Sequence, residues 1–410
     1  MSPANYFCAS ISSAKRHFSL PGHRGIWLSA KFVHRRLLDA MREWQPRLIL
    51  PLDDIAAWLL RSLAVTPRVI PALRSVLVES LGAPHGYCAS VSRQAFMHAA
   101  AQLGVYKPAH CEYINAGAAQ AWGYPIVIKR EHTCGGKGVV IAHDASELVA
   151  QLRARPAAVW PRRLRQLAKQ FLLYVAGFRV GPAAGGAVLQ SFVPGVPAFR
   201  TLAAWNGRVL DGVSFVAEQA HPGATGASTV VRHIENDEME RAAAIMTAAL
   251  GCSGFVSFDF MLDPDTGRAA LIEMNPRGIP STHLGGLFGH DICGALAAHL
   301  MGTPLPPVKP GSTIAAIALF PKELERDAES AYLKSPDVVH DVPRADPALM
   351  AAYLQWLKTA CSGRAKGAAG SSAEDIGCEA PRRIAYDFPA VASSLGNLLD
   401  WDAPANQGQD

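Results

Sequence analysis

The stretch GFVSFDFMLDPDTGRAALIEMNPR at positions 254–277 decides the fold. Its two halves alternate apolar and polar residues around the turn-forming sequence DPDTGR, which predicts an antiparallel hairpin of strands 254–262 and 269–275. On the first strand, Ser257, Asp259 and Met261 share one face. The opposite face is expected to point into a core and carries Val256, Phe258, Phe260 and Leu262.

The return strand places a second set of polar groups beside Asp259. Alternation assigns Leu271, Glu273 and Asn275 to one face, and to the other it assigns Ala270, Ile272 and Met274. A turn of about five residues sets Asp259 opposite or diagonal to Glu273, with Asn275 one step further.

Two facing carboxylates repel each other unless a cation neutralises them. Carboxylate and amide oxygens are the ligands that Mg²⁺ prefers. The pattern therefore predicts a metal site at Asp259, Glu273 and Asn275, and a polar face that merely meets solvent is the alternative. Arg277 adds a cation that could hold a phosphoryl group or a carboxylate, and an ion pair with Glu273 is compatible with that role.

A glycine loop lies upstream between two predicted strands. Lys129 ends the apolar strand 124–130, the loop CGGKG occupies 134–138, and the second strand covers 139–142. Glycine-rich backbone can approach a phosphate closely and surround it with N–H groups. Because the loop joins two strands, it is neither a P-loop nor a dinucleotide loop. A flap over a triphosphate, with Lys129 and Lys137 touching phosphates, is one interpretation, and a plain glycine hairpin with solvated lysines is the alternative.

Other elements surround these motifs. Helices are predicted at 31–44 and 54–63, with a strand at 47–50 between them. A helix capped by Ser92 follows at 92–103, and Asn206-Gly207 marks a hairpin turn within 198–217. The strand 187–193 stops before Pro194-Gly195, so the backbone near Gln190, Phe192 and Val193 could meet an adenine edge. An ordinary strand end is the alternative.

The order of these motifs resembles the ATP-grasp superfamily, especially its carboxylate–amine (or thiol) ligases, over about residues 47–303. Relatives include biotin carboxylase, carbamoyl-phosphate synthetase and D-alanine–D-alanine ligase. The resemblance implies a mixed α/β and α+β chain. A short Rossmann-like N-terminal domain would precede a two-subdomain ATP-grasp fold with an antiparallel sheet, and a C-terminal extension would follow.

The resemblance also implies a role for each matched residue. Lys129 and Arg277 would be catalytic, acting on phosphate and on the transferred phosphoryl group or substrate carboxylate. Asp259, Glu273 and Asn275 would bind Mg²⁺, with Mn²⁺ as an alternative ion. The residues implied to contact ATP are Arg93, Lys129, Gly135, Gly136, Lys137, Gly138, Gln190, Phe192 and Val193.

Several positions depart from the family pattern. Arg93 stands where many members carry a lysine, and Gln190 stands where a hinge glutamate is usual. The stretch GIPSTHLGG at 278–286 lacks the acid that serves as a base in biotin carboxylases, which argues against biotin carboxylation. His283 and Arg232 are candidates for the acceptor pocket, and a structural histidine and a solvated arginine are the alternatives.

The predicted domains are 1–88, 89–305 and 306–410. The first is short for this family, so its pattern is either truncated or degenerate. The second contains the flap subdomain, about 120–190, and the metal-binding subdomain, about 191–305. The third is an accessory segment with a Gly/Ala/Ser-rich mobile linker at about 362–376.

Composition bounds the protein without specifying its chemistry. The 410 residues are 50% hydrophobic and 18% charged, with a net charge of +5 and no Lys/Arg block, so nothing points to nucleic acid. No apolar run reaches about 18 residues, which argues against a membrane span. Eight scattered cysteines without a CxxC pair, and a start unlike a signal peptide, predict a cytoplasmic protein.

The predicted function is an ATP- and Mg²⁺-dependent carbon–nitrogen ligase. It would join a small-molecule carboxylate to an amine or a thiol through an acyl phosphate and make an amide or peptide-like product. A homodimer is compatible with this reading. The alternatives are an ATP-binding module without turnover, and a carboxylase or kinase on the same fold.

Overall fold

The computed structural model separates into two units. One contains described residues of Met1–Arg24, Ala217–Arg232 and Ser312–Asp410, and the other those of Gly25–Val216 and His233–Gly311. The structure describes residues 2–3, 11, 14–20, 26–67, 69–113, 116–131, 138–153, 186–223, 225–305, 307 and 314–362. The candidate site residues that it describes lie in the larger second unit, except Arg232, which belongs to the first.

Helices open the larger unit. They are α1 (Ile26–Glu43), α2 (Asp54–Ala64), α3 (Pro71–Leu81), α4 (Tyr87–Val91) and α5 (Arg93–Gln102). Asp53 caps α2 and Ser92 caps α5, each accepting a hydrogen bond from a backbone N–H of the first turn. The helices α1 to α3 bury an apolar cluster that includes Leu37, Leu59, Leu63, Leu73 and Leu77.

A small antiparallel sheet follows. Its strands are β3 (His110–Glu112), β4 (Ile126–Arg130), β5 (Val139–Ala142) and β6 (Ala187–Ser191), in the order β3-β6-β4-β5. The helices α6 (Ala116–Ala119) and α7 (Ala145–Arg153) accompany it, and their residues Ala119 and Leu148 join its apolar core. The predicted strands 124–130 and 139–142 are therefore confirmed.

A second set of strands carries the decisive hairpin. Its strands are β7 (Val196–Trp205), β8 (Arg208–His221), β10 (Gly254–Leu262) and β11 (Ala269–Asn275), in the order β11-β10-β7-β8. Both strands of the predicted hairpin have the predicted bounds. Asn206 and Gly207 between β7 and β8 have φ of 48° and 79°, the left-handed conformation that a tight hairpin turn requires.

The main core lies on one face of the β10–β11 hairpin. Val256, Phe258 and Phe260 pack there against α5 and against α8 (Asp237–Ala249), which Asn236 caps. The rings of Phe96 and Phe258 stack with centroids 6.3 Å apart. The predicted core face of the first strand is thus confirmed. The opposite, polar face of the hairpin carries the candidate site residues. The helix α9 (Ile292–Met301) completes the unit.

The smaller unit has its own short elements. The strands β1 (Ser2–Pro3) and β2 (Ser19–Leu20) pair in parallel. Within this unit β9 (Ala227–Ile234) is antiparallel to β12 (Ala316–Ala318), which is parallel to β13 (Val338–His340). Its helices are α10 (Lys322–Arg326), α11 (Ala331–Lys334) and α12 (Pro347–Ser362).

Two expectations are modified, and a third falls mostly outside the described residues. The described N-terminal residues of the larger unit are helical, so the Rossmann-like N-terminal domain is not confirmed, and the strand predicted at 47–50 is wrong. That segment belongs to neither a helix nor a strand, and its Ile49 N–H donates to the Ser80 hydroxyl instead of joining a sheet. Residues 363–376 of the predicted linker lie outside the described part of the chain, whereas Ser362 ends α12. Among described residues, no helix has the length and apolar character to cross a membrane.

Candidate active site

The hairpin brings the three predicted metal ligands together. Asp259 and Glu273 are direct partners across the β10–β11 ladder, and Ser257 is opposite Asn275. Directly opposed residues of an antiparallel pair share a face, so the three side chains lie on the same side of the sheet. The Asn275 side-chain N–H donates to Asp259 Oδ2 over 3.0 Å. The geometry predicted from alternation is therefore present.

A bulge alters the rest of the return strand. Asp259 pairs with Glu273 while Phe260 pairs with Leu271, so Ile272 is an extra residue without a partner. Strict alternation predicts Leu271 on the acidic face and Ala270 on the core face, and both predictions are wrong. Leu271 is fully buried in the main core and Ala270 is opposite Met261. The extra residue reverses the alternation on one side of the bulge only.

Lys129 reaches the hairpin at this bulge. Its Nζ donates to the Ile272 carbonyl oxygen over 3.1 Å, so β4 of the small sheet is tied to β11. The side chain is buried, and burial is the main cause that lowers the pKa of its ammonium group. The charges of Glu273 and Asp259 oppose that effect, whereas the charge of Arg93 adds to it.

Arg93 is the partner of Glu273. Its guanidinium Nη2 lies 2.7 Å from Glu273 Oε1, and its Nη1 donates to the Arg130 carbonyl oxygen over 2.6 Å. The alternative interpretation of Arg277, an ion pair with Glu273, is not what the structure shows, because Arg93 at the start of α5 holds Glu273 and Arg277 pairs with Asp54. The departure from the family lysine thus supplies a planar cation to one of the candidate metal ligands.

Arg277 is paired with a residue of the helical region instead. Its Nε and Nη2 donate to the two carboxylate oxygens of Asp54 over 2.6 and 3.0 Å. Its Nη2 also lies 3.2 Å from Asn275 Oδ1, so the same guanidinium touches a candidate metal ligand. Burial acts to lower the pKa of Arg277, but the bonds and charge of Asp54 outweigh it and the pKa is raised.

The electrostatics of Asp259 fit a cation. Burial, and then the negative charge of Glu273, raise the pKa of Asp259 to about 7, while Asn275, Lys129 and Arg277 act in the opposite direction. Two close carboxylates in partly dry surroundings are costly until a cation joins them. Two carboxylates and an amide oxygen suit a hard ion such as Mg²⁺. No cluster of three or more His, Cys, Asp or Glu ligands occurs among the described residues, so an amide would complete this set.

The predicted adenine-side residues lie at and just after the end of β6, an inner strand of the small sheet. Gln190 is buried within β6 between His110 and Val127, and its side-chain Nε2 has no hydrogen-bond partner among the described residues. Phe192 is 39% exposed, and its backbone N–H donates to the Pro125 carbonyl oxygen over 3.3 Å. Val193 follows and is half-buried.

The glycine loop is only partly visible. Gly135, Gly136 and Lys137 lie outside the described residues, so their predicted role in a flap stays a prediction. Gly138 is buried, and its carbonyl oxygen accepts the Arg130 N–H over 2.9 Å.

The two acceptor-pocket candidates belong to different units. His283 is exposed ahead of the short helix Leu284–Phe288 in the larger unit. Arg232 belongs to the smaller unit and pairs with Glu218 over 2.6 Å.

Three site residues were missed from the sequence. Asp54 holds Arg277, and Glu131 accepts the backbone N–H groups of Arg93 and Gln94 at the start of α5. Arg61 is 2% exposed and lies 3.4 Å from the Pro276 carbonyl oxygen, and burial lowers its pKa to about 10. The acidic pair at 53–54, just before an apolar helix, could have been noted in the sequence as a candidate for the site. The sequence gives no sign that Arg277, more than 200 residues away, is the partner of Asp54.

Comparisons with known proteins give one family match and one distant relative. Residues 93–159 match the family model of the carbamoyl-phosphate synthase L chain, ATP binding domain. The chain is 24% identical over 262 residues to the carbamoyl phosphate synthase large chain of Thermus thermophilus. That alignment covers 62% of this chain and 23% of the relative, so the chain spans about a quarter of its length. The predicted resemblance to the ATP-grasp superfamily is confirmed.

Solved structures to which the chain has partial similarity include biotin carboxylase from Campylobacter jejuni, with a TM-score of 0.48 and 13% identity over 69% of this chain and 60% of that one. The L-amino acid ligase from Bacillus licheniformis has a TM-score of 0.45 and 16% identity over 72% of this chain and 67% of that one.

Proposed function

We propose that this protein is an ATP- and Mg²⁺-dependent ligase that joins a small-molecule carboxylate to an amine, or to a thiol, through an acyl phosphate. The observation that carries the proposal is the convergence of Asp259, Glu273 and Asn275 on one sheet face, with Lys129, Arg93 and Arg277 around them. The match to an ATP-binding domain supports the nucleotide. The proposed product contains a new carbon–nitrogen bond when the acceptor is an amine.

The reaction assigns a task to each group. A substrate carboxylate oxygen attacks the γ-phosphorus of ATP, the bond to the β-phosphate oxygen breaks, and ADP leaves. An amine then attacks the acyl carbon, loses a proton and expels phosphate, which gives an amide. Lys129 and Arg277 orient the transferred phosphoryl group and offset its negative charge. The oxygens of Asp259, Glu273 and Asn275 would hold Mg²⁺, which supplies charge neutralisation at the phosphates.

The first test is ADP release from the full chain with ATP, Mg²⁺ and a panel of carboxylic acids, amino acids and amines. We expect turnover that the double substitution Asp259→Asn, Glu273→Gln lowers by about 100-fold or more, because both anionic metal ligands become neutral. Asp265→Asn is the matched control, since Asp265 is exposed in the turn of the same hairpin. Unchanged turnover in the double variant would exclude this site.

Hydroxylamine distinguishes the reaction types. An acyl phosphate gives a hydroxamate, whereas the product of a kinase is a stable phosphorylated compound. A hydroxamate that forms with one carboxylic acid of the panel identifies the substrate class. Stable phosphorylation without a hydroxamate contradicts the ligase reaction.

A binding role without turnover is the second candidate. The pairing of Arg93 with Glu273, and of Arg277 with Asp54, favours it because both cations already have acidic partners. ATP-dependent thermal stabilisation without ADP formation on any substrate would support that candidate.

A further inference from the structure

We infer that Arg93 is an exchangeable partner of Glu273, which it releases to a divalent cation while its guanidinium turns to the phosphates of the nucleotide. Arg93 would thereby couple metal binding to nucleotide binding. The inference rests on the proposed function, because it assumes that the two ligands share this site.

The first observation is the position of the guanidinium. Arg93 and Glu273 have side chains that are 13% and 24% exposed, and their polar atoms are 2.7 Å apart. A charge-assisted hydrogen bond of this length in a partly dry site is strong. A Mg²⁺ ion requires oxygen ligands at about 2.0–2.1 Å, so it cannot share that lone pair of Oε1 with the guanidinium.

The second observation is that the other candidate ligands are not held by Arg93 in this way. Asp259 accepts a neutral amide N–H from Asn275, and Asn275 Oδ1 accepts from Arg277. Lys129 donates to a backbone carbonyl oxygen of the bulge rather than to Glu273. Among these described contacts, Arg93 is the cation that occupies a carboxylate oxygen of a candidate metal ligand, whereas Arg277 contacts the neutral amide oxygen of Asn275.

The third observation is where the side chain starts. Arg93 is the first residue of α5, and its Nη1 donates to the carbonyl of Arg130 at the end of β4. That end of β4 is followed in sequence by the glycine loop at 134–138. A guanidinium with several donors can exchange a carboxylate for phosphate oxygens, since its planar fork fits both.

The sign of the coupling follows from charge. With Arg93 on Glu273, a divalent cation meets a neighbouring positive charge and one oxygen fewer. Phosphates that attract Arg93 remove both obstacles, so the nucleotide strengthens metal binding. By linkage, the metal strengthens nucleotide binding by the same factor.

The test measures Mn²⁺ binding to the full-length chain by electron paramagnetic resonance, without and with ADP, after correction for Mn²⁺ bound to free ADP. We expect Arg93→Gln to bind Mn²⁺ without ADP at least fivefold more tightly than the unsubstituted protein. Its affinity should increase less on addition of ADP. Arg93→Lys keeps one donor on Glu273, so a smaller gain of about twofold is expected.

Arg36→Gln is the control, because Arg36 pairs with Asp39 on α1 and should leave Mn²⁺ binding unchanged. If Arg93→Gln does not fold, as judged by circular dichroism, Arg93→Lys decides. Equal Mn²⁺ affinity in the unsubstituted and substituted chains, or no Mn²⁺ binding by either without ADP, overturns the inference. If Mn²⁺ and ADP together also fail to bind, the proposed function fails with it.

Discussion

At the scale of single residues, the ion pair between Arg277 and Asp54 decides how the site is aligned. Both carboxylate oxygens of Asp54 accept from the guanidinium, which in turn touches Asn275. Gly278 N–H also donates to the Pro51 carbonyl oxygen over 3.4 Å, so the segment after β11 is held against the start of α2. Under the proposed function, Asp54 would be a positioning residue that acts through Arg277.

We expect Asp54→Asn to lower kcat for ADP release by about tenfold, with a smaller change in KM, because the guanidinium loses its fixed orientation. The free energy of unfolding should fall by about 1–2 kcal/mol, since Arg277 is mostly buried and keeps its charge. Urea unfolding and steady-state kinetics measure the two effects.

Asp39→Asn is the control for Asp54→Asn, because it removes a surface ion pair on α1 that contributes little. Combining Asp54→Asn with Arg277→Lys should cost less than the sum of the two separate losses. Additive losses in kcat would show that Asp54 acts independently of Arg277.

At the scale of elements, the start of α5 is capped by a carboxylate from a distant part of the chain. Glu131, just after β4, accepts from the N–H groups of Arg93 and Gln94 over 3.1 and 3.0 Å. An acid at a helix N-terminus satisfies free N–H groups and opposes the positive end of the helix dipole. The helix that presents Arg93 is therefore anchored to the strand that presents Lys129.

Glu131→Ala should lower the free energy of unfolding by about 1 kcal/mol, the usual effect of losing a helix cap. Glu147→Ala is the matched variant, because Glu147 accepts the His143 N–H at the start of α7, away from the site. Both should be destabilised similarly in urea, but only Glu131→Ala should weaken ADP binding measured by calorimetry. An equal loss of ADP affinity in both variants would contradict a link between Glu131 and the site.

The β10–β11 hairpin shows which features the alternation of residues along a strand can predict and which it cannot. The polar and apolar faces of β10 follow from period two, and so does the meeting of Asp259 with Glu273. The bulge does not follow, because an extra residue in one strand leaves the composition of the run unchanged. Leu271 was misplaced for this reason, and the Ile272 carbonyl that receives Lys129 could not be foreseen.

At the scale of the whole molecule, local patterns do not specify distant partners. The short apolar run 47–50 has the composition of a strand, but it lies between two helices in the sequence. The N–H of Ile49 donates a hydrogen bond to the Ser80 hydroxyl rather than to a neighbouring strand. The spacing of residues along the sequence also does not predict the ion pairs Arg93–Glu273 and Arg277–Asp54. These pairs arise from packing between segments whose order along the chain says nothing about their contact.

The distances along the chain have a consequence for how the protein folds. Lys129 and Ile272 are 143 positions apart, and Asp54 and Arg277 are 223 apart. Contacts between such remote segments require closure of long loops, which is slow compared with helix formation. In refolding from urea, far-ultraviolet circular dichroism should therefore recover before Mn²⁺–ADP binding does. Simultaneous recovery would mean that these remote segments meet early, and a ribosome-bound chain that ends before Arg277 should have helices but no complete site.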